Sequence, residues 1–281
     1  MRVTSVSILS EEVEAIRFDL RSTTAKSQYI IRNIAGLDAD EIIPKFYGFS
    51  KDGTKRFYDF KLRQRELVLR IVMNPNYRLG ETNSDIRDNV YRAISATRSG
   101  LLDLDFHSGG STVARISGHI TKFEAAYFSN EPELQITIQC NDPVFRGITP
   151  VILGPSDIPD ANPIIIADDI STAPHGFSMK VSITGTLADF TIQDKAADPE
   201  WDFKIIPATS FLSGDDLYFS SEFNDRYLYM IRSGVTTHLL DRIEPTSVWP
   251  TIFPGGSQFH FSDIASFDWD NIEFHAAYWG V

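Results

Sequence analysis

Residues 67–73 read Leu-Val-Leu-Arg-Ile-Val-Met and residues 134–140 read Leu-Gln-Ile-Thr-Ile-Gln-Cys. Every second residue in both is apolar: Leu67, Leu69, Ile71 and Met73 in the first, Leu134, Ile136, Ile138 and Cys140 in the second. A period of two rich in β-branched residues is the pattern of a strand with one face buried, because successive side chains of a strand point to opposite sides. The alternation returns at 177–184 (Phe177, Met179, Val181, Ile183) and at 271–279 (Ile272, Phe274, Ala276, Tyr278). Residues 227–235 run as a strand into a Ser233-Gly234 turn, and 102–106 and 113–123 read as two strands joined by the glycine-bearing hairpin loop 107–112. Such a chain is mainly β.

One segment has a different period. Between Thr82 and Ser99 the apolar residues Ile86, Val90 and Ile94 recur every fourth position, with Tyr91 beside them. That spacing forms one helical stripe. Thr82 and Asp85 make a capping box at its start, and Gly100 falls where a helix end favours a left-handed residue. The spacing predicts one helix lying across a sheet.

A chain of 281 residues is long for a single sandwich and suits two domains. Prolines crowd 141–163 (Pro143, Pro150, Pro155, Pro159, Pro163) and break regular structure, which predicts a linker there. Charge changes at the same place. Residues 1–150 hold 20 Lys and Arg against 19 Asp and Glu, a balance of +1, whereas 151–281 hold 6 against 19, a balance of −13. We therefore expect a sheet-plus-helix domain at 1–148 and a β-sandwich at 149–281, with the acidic half in different surroundings.

Few chemistries fit the remaining residues. A net charge of −12 argues against nucleic acid as the main partner. The single cysteine, Cys140, excludes an internal disulfide and a thiolate metal cage. The N-terminal stretch carries Glu11, Glu12 and Glu14 where a signal peptide needs an apolar core, and no window is apolar enough for a membrane helix, so folding in the cytoplasm is expected. No phosphate-binding loop, dinucleotide fingerprint or Gly-x-Ser-x-Gly elbow occurs. Asp105, His107 and Ser108–Ser111 include the residue types of a hydrolase triad, but a hairpin turn accounts for them better. The histidines, His107, His119, His175, His238, His260 and His275, show no zinc spacing. The pairs Asp38/Asp40, Asp103/Asp105 and Asp268/Asp270 could share a strand face and hold calcium, although a solvated acidic face is the better reading.

Two clusters concern binding. Lys51, Lys55, Arg56, Lys61, Arg63, Arg65 and Arg70 surround Phe57, Tyr58 and Phe60, but Asp52, Asp59 and Glu66 interrupt the run, which favours a solvated or interface-forming hairpin over a single-strand nucleic-acid site. All four tryptophans, Trp201, Trp249, Trp269 and Trp279, lie in the second half. Trp201 and Trp249 are the candidates for stacking on a glycan or for an interface, with core packing the favoured alternative. Neither catalytic residues nor cofactor or metal ligands are expected.

Several segments in order resemble the distal tail protein family of long-tailed bacteriophages. They are 29–42 with its Gly36-Leu37-Asp38 turn, the strand 65–75, the helix and following strand 85–106, the hairpin 116–145 ending in Cys140, Asp142, Pro143 and Phe145, and then 227–235 and 248–261. The resemblance is nearest over 29–145. It implies a ring-forming first domain like a tail-tube protein and a galectin-like β-sandwich outside the ring. It further implies a hexameric ring at the virion tail tip, docked to the tail tube protein on one side and the tail-tip hub protein on the other, with no catalysis. The rival expectation is a carbohydrate-binding module for host surface glycans.

Overall fold

The computed structural model describes residues 4–10, 13–19, 27–38, 42–47, 56–62, 64–97, 101–125, 132–158, 162–194, 201–223 and 225–280. Among the residues discussed above, Glu11, Glu12, Asp40, Lys51, Asp52, Lys55, Arg63, Ser99, Gly100 and Pro159 lie outside these ranges. The chain forms two compact units, Met1–Ile148 with Tyr278–Val281, and Thr149–Ala277. The last four residues thus belong with the first unit rather than with the second.

The first unit contains β1 (Ser5–Ser10), β2 (Val13–Asp19), β3 (Tyr29–Ala35), β4 (Ile42–Tyr47), β5 (Arg56–Leu62), β6 (Arg65–Met73), α1 (Asn83–Thr97), β7 (Leu102–Ser108), β8 (Ser111–Ala125) and β9 (Glu133–Cys140). Seven strands follow the order β8-β7-β1-β2-β3-β6-β9, and β9 pairs again with β8, so the sheet closes into a barrel. Closure removes the open edges that would otherwise recruit other strands. Alternation alone does not distinguish a closed sheet from an open one. Leu67, Leu69, Ile71, Leu134, Ile136, Ile138 and Cys140 line the core, as their period of two requires. Burial pushes the Cys140 thiol up to about 12, which leaves it unreactive at neutral pH.

The β7–β8 hairpin turns on Gly109 and Gly110, both with positive φ (60° and 96°), between the paired Ser108 and Ser111. A two-residue hairpin turn of this hand needs residues without a Cβ penalty. Helix α1 begins with the reciprocal cap read from the sequence. Asp85 N–H donates to Thr82 Oγ1 (3.3 Å), while Thr82 N–H and Oγ1–H donate to Asp85 Oδ2 (2.9 and 2.7 Å). The helix packs against β2 and β6 and buries Ile86 and Val90. Tyr29 Oη–H donates to the Ile86 carbonyl (3.2 Å) and ties the helix to β3. Thr82→Ala should lower the stability of this unit by about 1 kcal/mol, measured by denaturant unfolding.

Strand β10 (Phe145–Leu153) continues through Pro150. The proline-rich stretch is therefore strand over 145–153 rather than irregular linker, since a strand accepts proline where its missing N–H is not needed by a neighbour. The second unit contains β11 (Ile164–Ile166), β12 (Ser178–Ile183), β13 (Phe190–Asp194), β14 (Trp201–Ile205), β15 (Asp216–Ser220), β16 (Tyr227–Arg232), β17 (Val235–His238), β18 (Ser257–Phe261) and β19 (Phe267–Tyr278). It is a sandwich: strands β17-β16-β15-β12-β19 form one layer and β11-β18-β13-β14 the other. Its core is strongly aromatic, with Phe177, Phe190, Phe203, Phe211, Phe219, Phe259 and Phe274 each nearly or wholly inaccessible.

Candidate assembly interface

The residue types of a hydrolase triad at the β7–β8 hairpin are engaged with structural partners. Asp105 forms a two-pronged ion pair with Arg115 (2.6 and 3.0 Å), and Arg115 also meets Asp103 at 3.2 Å. His107 lies between Ser7 Oγ (2.8 Å) and Thr112 Oγ1 (3.1 Å), and these contacts order the hairpin. Asp270 pairs with Lys180 at 2.8 Å. No group of three or more potential metal ligands occurs among the described residues.

The sequence did not single out one Ser, His and Asp group. In the second unit His175 Nε2 is 2.8 Å from Asp168 Oδ2, and Ser171 lies in the same loop. The imidazole Nδ1 donates to the Gly176 carbonyl (2.8 Å), and Ser171 Oγ accepts the Ala277 N–H (2.9 Å). The serine and histidine side chains both meet the Asp168 carboxylate, and all three residues are buried. This is an internal brace. Burial raises the cost of charging Asp168, and hydrogen bonds from Ser171 and His175 outweigh it, holding the carboxyl below the usual carboxylate range.

Arg65 corrects the sequence reading. The sequence groups it with a solvated or interface-forming basic hairpin, yet it is 1% exposed and is the largest fully buried side chain described. Its Nε donates to Pro143 O (2.6 Å), Nη1 to Gly36 O (2.7 Å) and Asp38 O (2.9 Å), and Nη2 to Trp279 O (2.6 Å). The guanidinium lies 4.7 Å from the centre of the Phe145 ring. Gly36 makes this possible: its φ is +88°, and a Cβ there would come within 2.1 Å of Glu66 O. The Gly-Leu-Asp turn and the Asp-Pro-x-Phe stretch noted in the sequence are therefore two walls of one arginine socket.

Of the two tryptophans, Trp249 is half-buried and packs on Phe203 (4.9 Å) and Phe219 (5.7 Å), with the Arg226 guanidinium 5.0 Å over its ring. Trp201 opens β14 opposite Asp194, and its side chain lies outside the described residues.

Two features of the first unit suit assembly. Strands β4 and β5 form a two-stranded sheet of their own, with Ile42 opposite Leu62, Pro44 opposite Phe60 and Lys45 opposite Asp59. An isolated two-stranded hairpin is marginal in water and gains from a covering surface. The loop between β6 and α1 presents Tyr77 (69% exposed) and Leu79 (76% exposed). It is held rigid: Glu81 accepts from Asn76 N–H (2.9 Å) and from Gln28 (2.8 Å), and Asn74 N–H donates to Gln28 O (2.8 Å). A fixed apolar tip loses little entropy on docking.

The whole architecture has counterparts among solved structures. The crystal structure of the SPP1 Dit (gp 19.1) protein, described as a paradigm of the hub adsorption apparatus in phages infecting Gram-positive hosts, superposes with a TM-score of 0.61 over 97% of this chain and 98% of that one, at 11% identity. This chain has the Dit fold. A chain of the phage P2 baseplate in its activated conformation with calcium matches at a TM-score of 0.47 and 8% identity, covering 99% of this chain and 98% of that one. No family model and no curated protein matches the sequence. The Dit fold thus spans both units at an identity where few individual residues are shared.

Proposed function

We propose that this protein is a structural, non-enzymatic connector at the tail tip of a long-tailed bacteriophage, where copies of it form a hexameric ring joining the tail tube to the tip hub. The observation that carries this reading is the end-to-end likeness to the SPP1 Dit protein, which is named for a hub adsorption apparatus. Two independent units matching in one order is far more restrictive than one sandwich or one barrel, both of which serve many functions.

The chemistry of the first unit supports association. With its barrel closed, strand pairing between copies falls to the β4–β5 hairpin, and the Tyr77–Leu79 tip supplies apolar anchors. A ring satisfies such head-to-tail contacts without leaving a free end. In this reading the protein is made in the host cytoplasm and resides in the virion tail.

Light scattering coupled to size-exclusion chromatography tests the proposal. Six copies of the 31.6 kDa chain should elute as a particle of about 190 kDa, alone or in a concentration-dependent equilibrium with the monomer. A monomer at every concentration, with no mass gained on adding tube and hub proteins, would rule the ring out.

A further inference from the structure

The geometry points to a second docking surface: the outer face of the five-stranded layer in the second unit takes a basic segment of another protein, lodging lysine or arginine side chains among tyrosines and carboxylates. Lys180, Tyr218, Tyr229 and His238 stand in register across β12, β15, β16 and β17. The residues between them, Met179, Val181, Leu217, Phe219, Leu228 and Met230, are buried, so the row lies on the face away from the core. Tyr218 and Tyr229 are stacked at 4.8 Å and 12°, with Tyr227 5.7 Å and His238 6.2 Å from Tyr229. Stacking fixes these side chains before any partner arrives, and tyrosine is enriched where proteins meet.

Charge selects the partner. The same face carries Asp216, Asp268, Asp270 and Glu273 against one base, Lys180, a balance of −3. Elsewhere in the unit the described bases are already engaged: Lys204 with Asp189 (3.0 Å), Arg232 with Asp215 (2.6 Å), Arg242 with Asp241 (3.3 Å), and Arg226 over Trp249 (5.0 Å). The incoming surface must therefore bring its own cations. Lys180 already shows how the face receives one: its ammonium is 2.8 Å from Asp270, 3.9 Å from Asp216 and 5.6 Å from the centre of the Tyr218 ring. Carboxylate and ring together suit an ammonium or guanidinium group.

The size of the face argues for a polypeptide. Five strands spaced about 4.8 Å apart make a platform roughly 19 Å wide, enough for several side chains of an extended segment. The face has this character whether or not the chain assembles into a ring.

Fluorescence anisotropy of a labelled decalysine peptide with the full chain at low salt tests the assignment. Glu273→Gln and Tyr229→Ala should each weaken binding about tenfold, while Tyr229→Phe and Asp169→Asn, the latter removing the same charge from an exposed turn elsewhere, should stay within about twofold. A thermal melt checks that Tyr229→Ala is folded, and Glu273→Gln decides the matter if it is not. Equal loss in Asp169→Asn and Glu273→Gln would overturn the proposal, because binding would then follow the field of the whole unit. So would no binding at all, or retention of neutral oligosaccharides on this face without any response to decalysine.

Discussion

Arg65→Met is expected to destabilise the first unit by about 3–5 kcal/mol, the cost of leaving several buried acceptors without their donor. The cause is the set of carbonyls left behind. Pro143, Gly36, Asp38 and Trp279 each direct a carbonyl oxygen at the guanidinium, and methionine fills much of the volume while donating to none of them. Each buried acceptor left without a partner costs about 1–3 kcal/mol before relaxation and water entry reduce the sum. For a unit of this size the loss corresponds to a fall of roughly 10 °C in Tm. Arg65→Lys should recover only part of it, because one ammonium cannot reach acceptors spread around Nε, Nη1 and Nη2. Denaturant unfolding of the three proteins checks this. Near-identical midpoints for wild type and Arg65→Met would mean that water satisfies the socket and the arginine is dispensable.

The socket shows where sequence reasoning succeeded and where it stopped. The strands carrying Leu67–Met73, Leu134–Cys140 and Phe177–Ile183 were legible because a strand exposes its burial pattern directly in its period of two. The helix was legible at its start because Thr82 and Asp85 satisfy each other locally. Arg65 was grouped by composition with its basic neighbours, yet it is in phase with Leu67, Leu69, Ile71 and Met73. That phase places it on the buried face. His175 repeats the lesson, in phase with Phe177, Met179 and Val181.

A charged residue in phase with a core stripe therefore signals a buried polar network. Its partners remained hidden because they are distant in sequence: Trp279 O lies 214 positions from Arg65. Barrel closure was hidden for the same reason, since the return of β9 to β8 depends on long-range pairing that no local pattern encodes. The tyrosine row of the second unit was equally invisible as a unit, because its members come from four strands and meet only through register. Tryptophan, chosen by residue type, drew attention to Trp249, whose ring is packed against Phe203 and Phe219.

Asp168→Ala should have the corresponding effect in the second unit. The carboxylate accepts from Ser171 N–H (3.0 Å) and Ile170 N–H (3.3 Å) through Oδ1 and meets His175 Nε2 (2.8 Å) through Oδ2. Alanine leaves these groups facing a small cavity beneath Phe274, which stacks on the imidazole at 5.1 Å. The expected cost at pH 7 is about 3–5 kcal/mol. The effect should depend on pH with a definite sign. Because the folded-state pKa of Asp168 is depressed, its ionised form contributes stability above the ordinary carboxylate pKa, and that contribution disappears as pH falls through the lower folded value. The gap between wild type and Asp168→Ala should therefore narrow between pH 7 and about pH 3, with most of the change below the ordinary aspartate pKa of about 4. Denaturant unfolding followed by the fluorescence of Trp249 and Trp269, both in this unit, reads the gap at each pH. A gap of equal size at both pH values would show that Asp168 acts through its shape and hydrogen bonds alone, with no contribution from its charge.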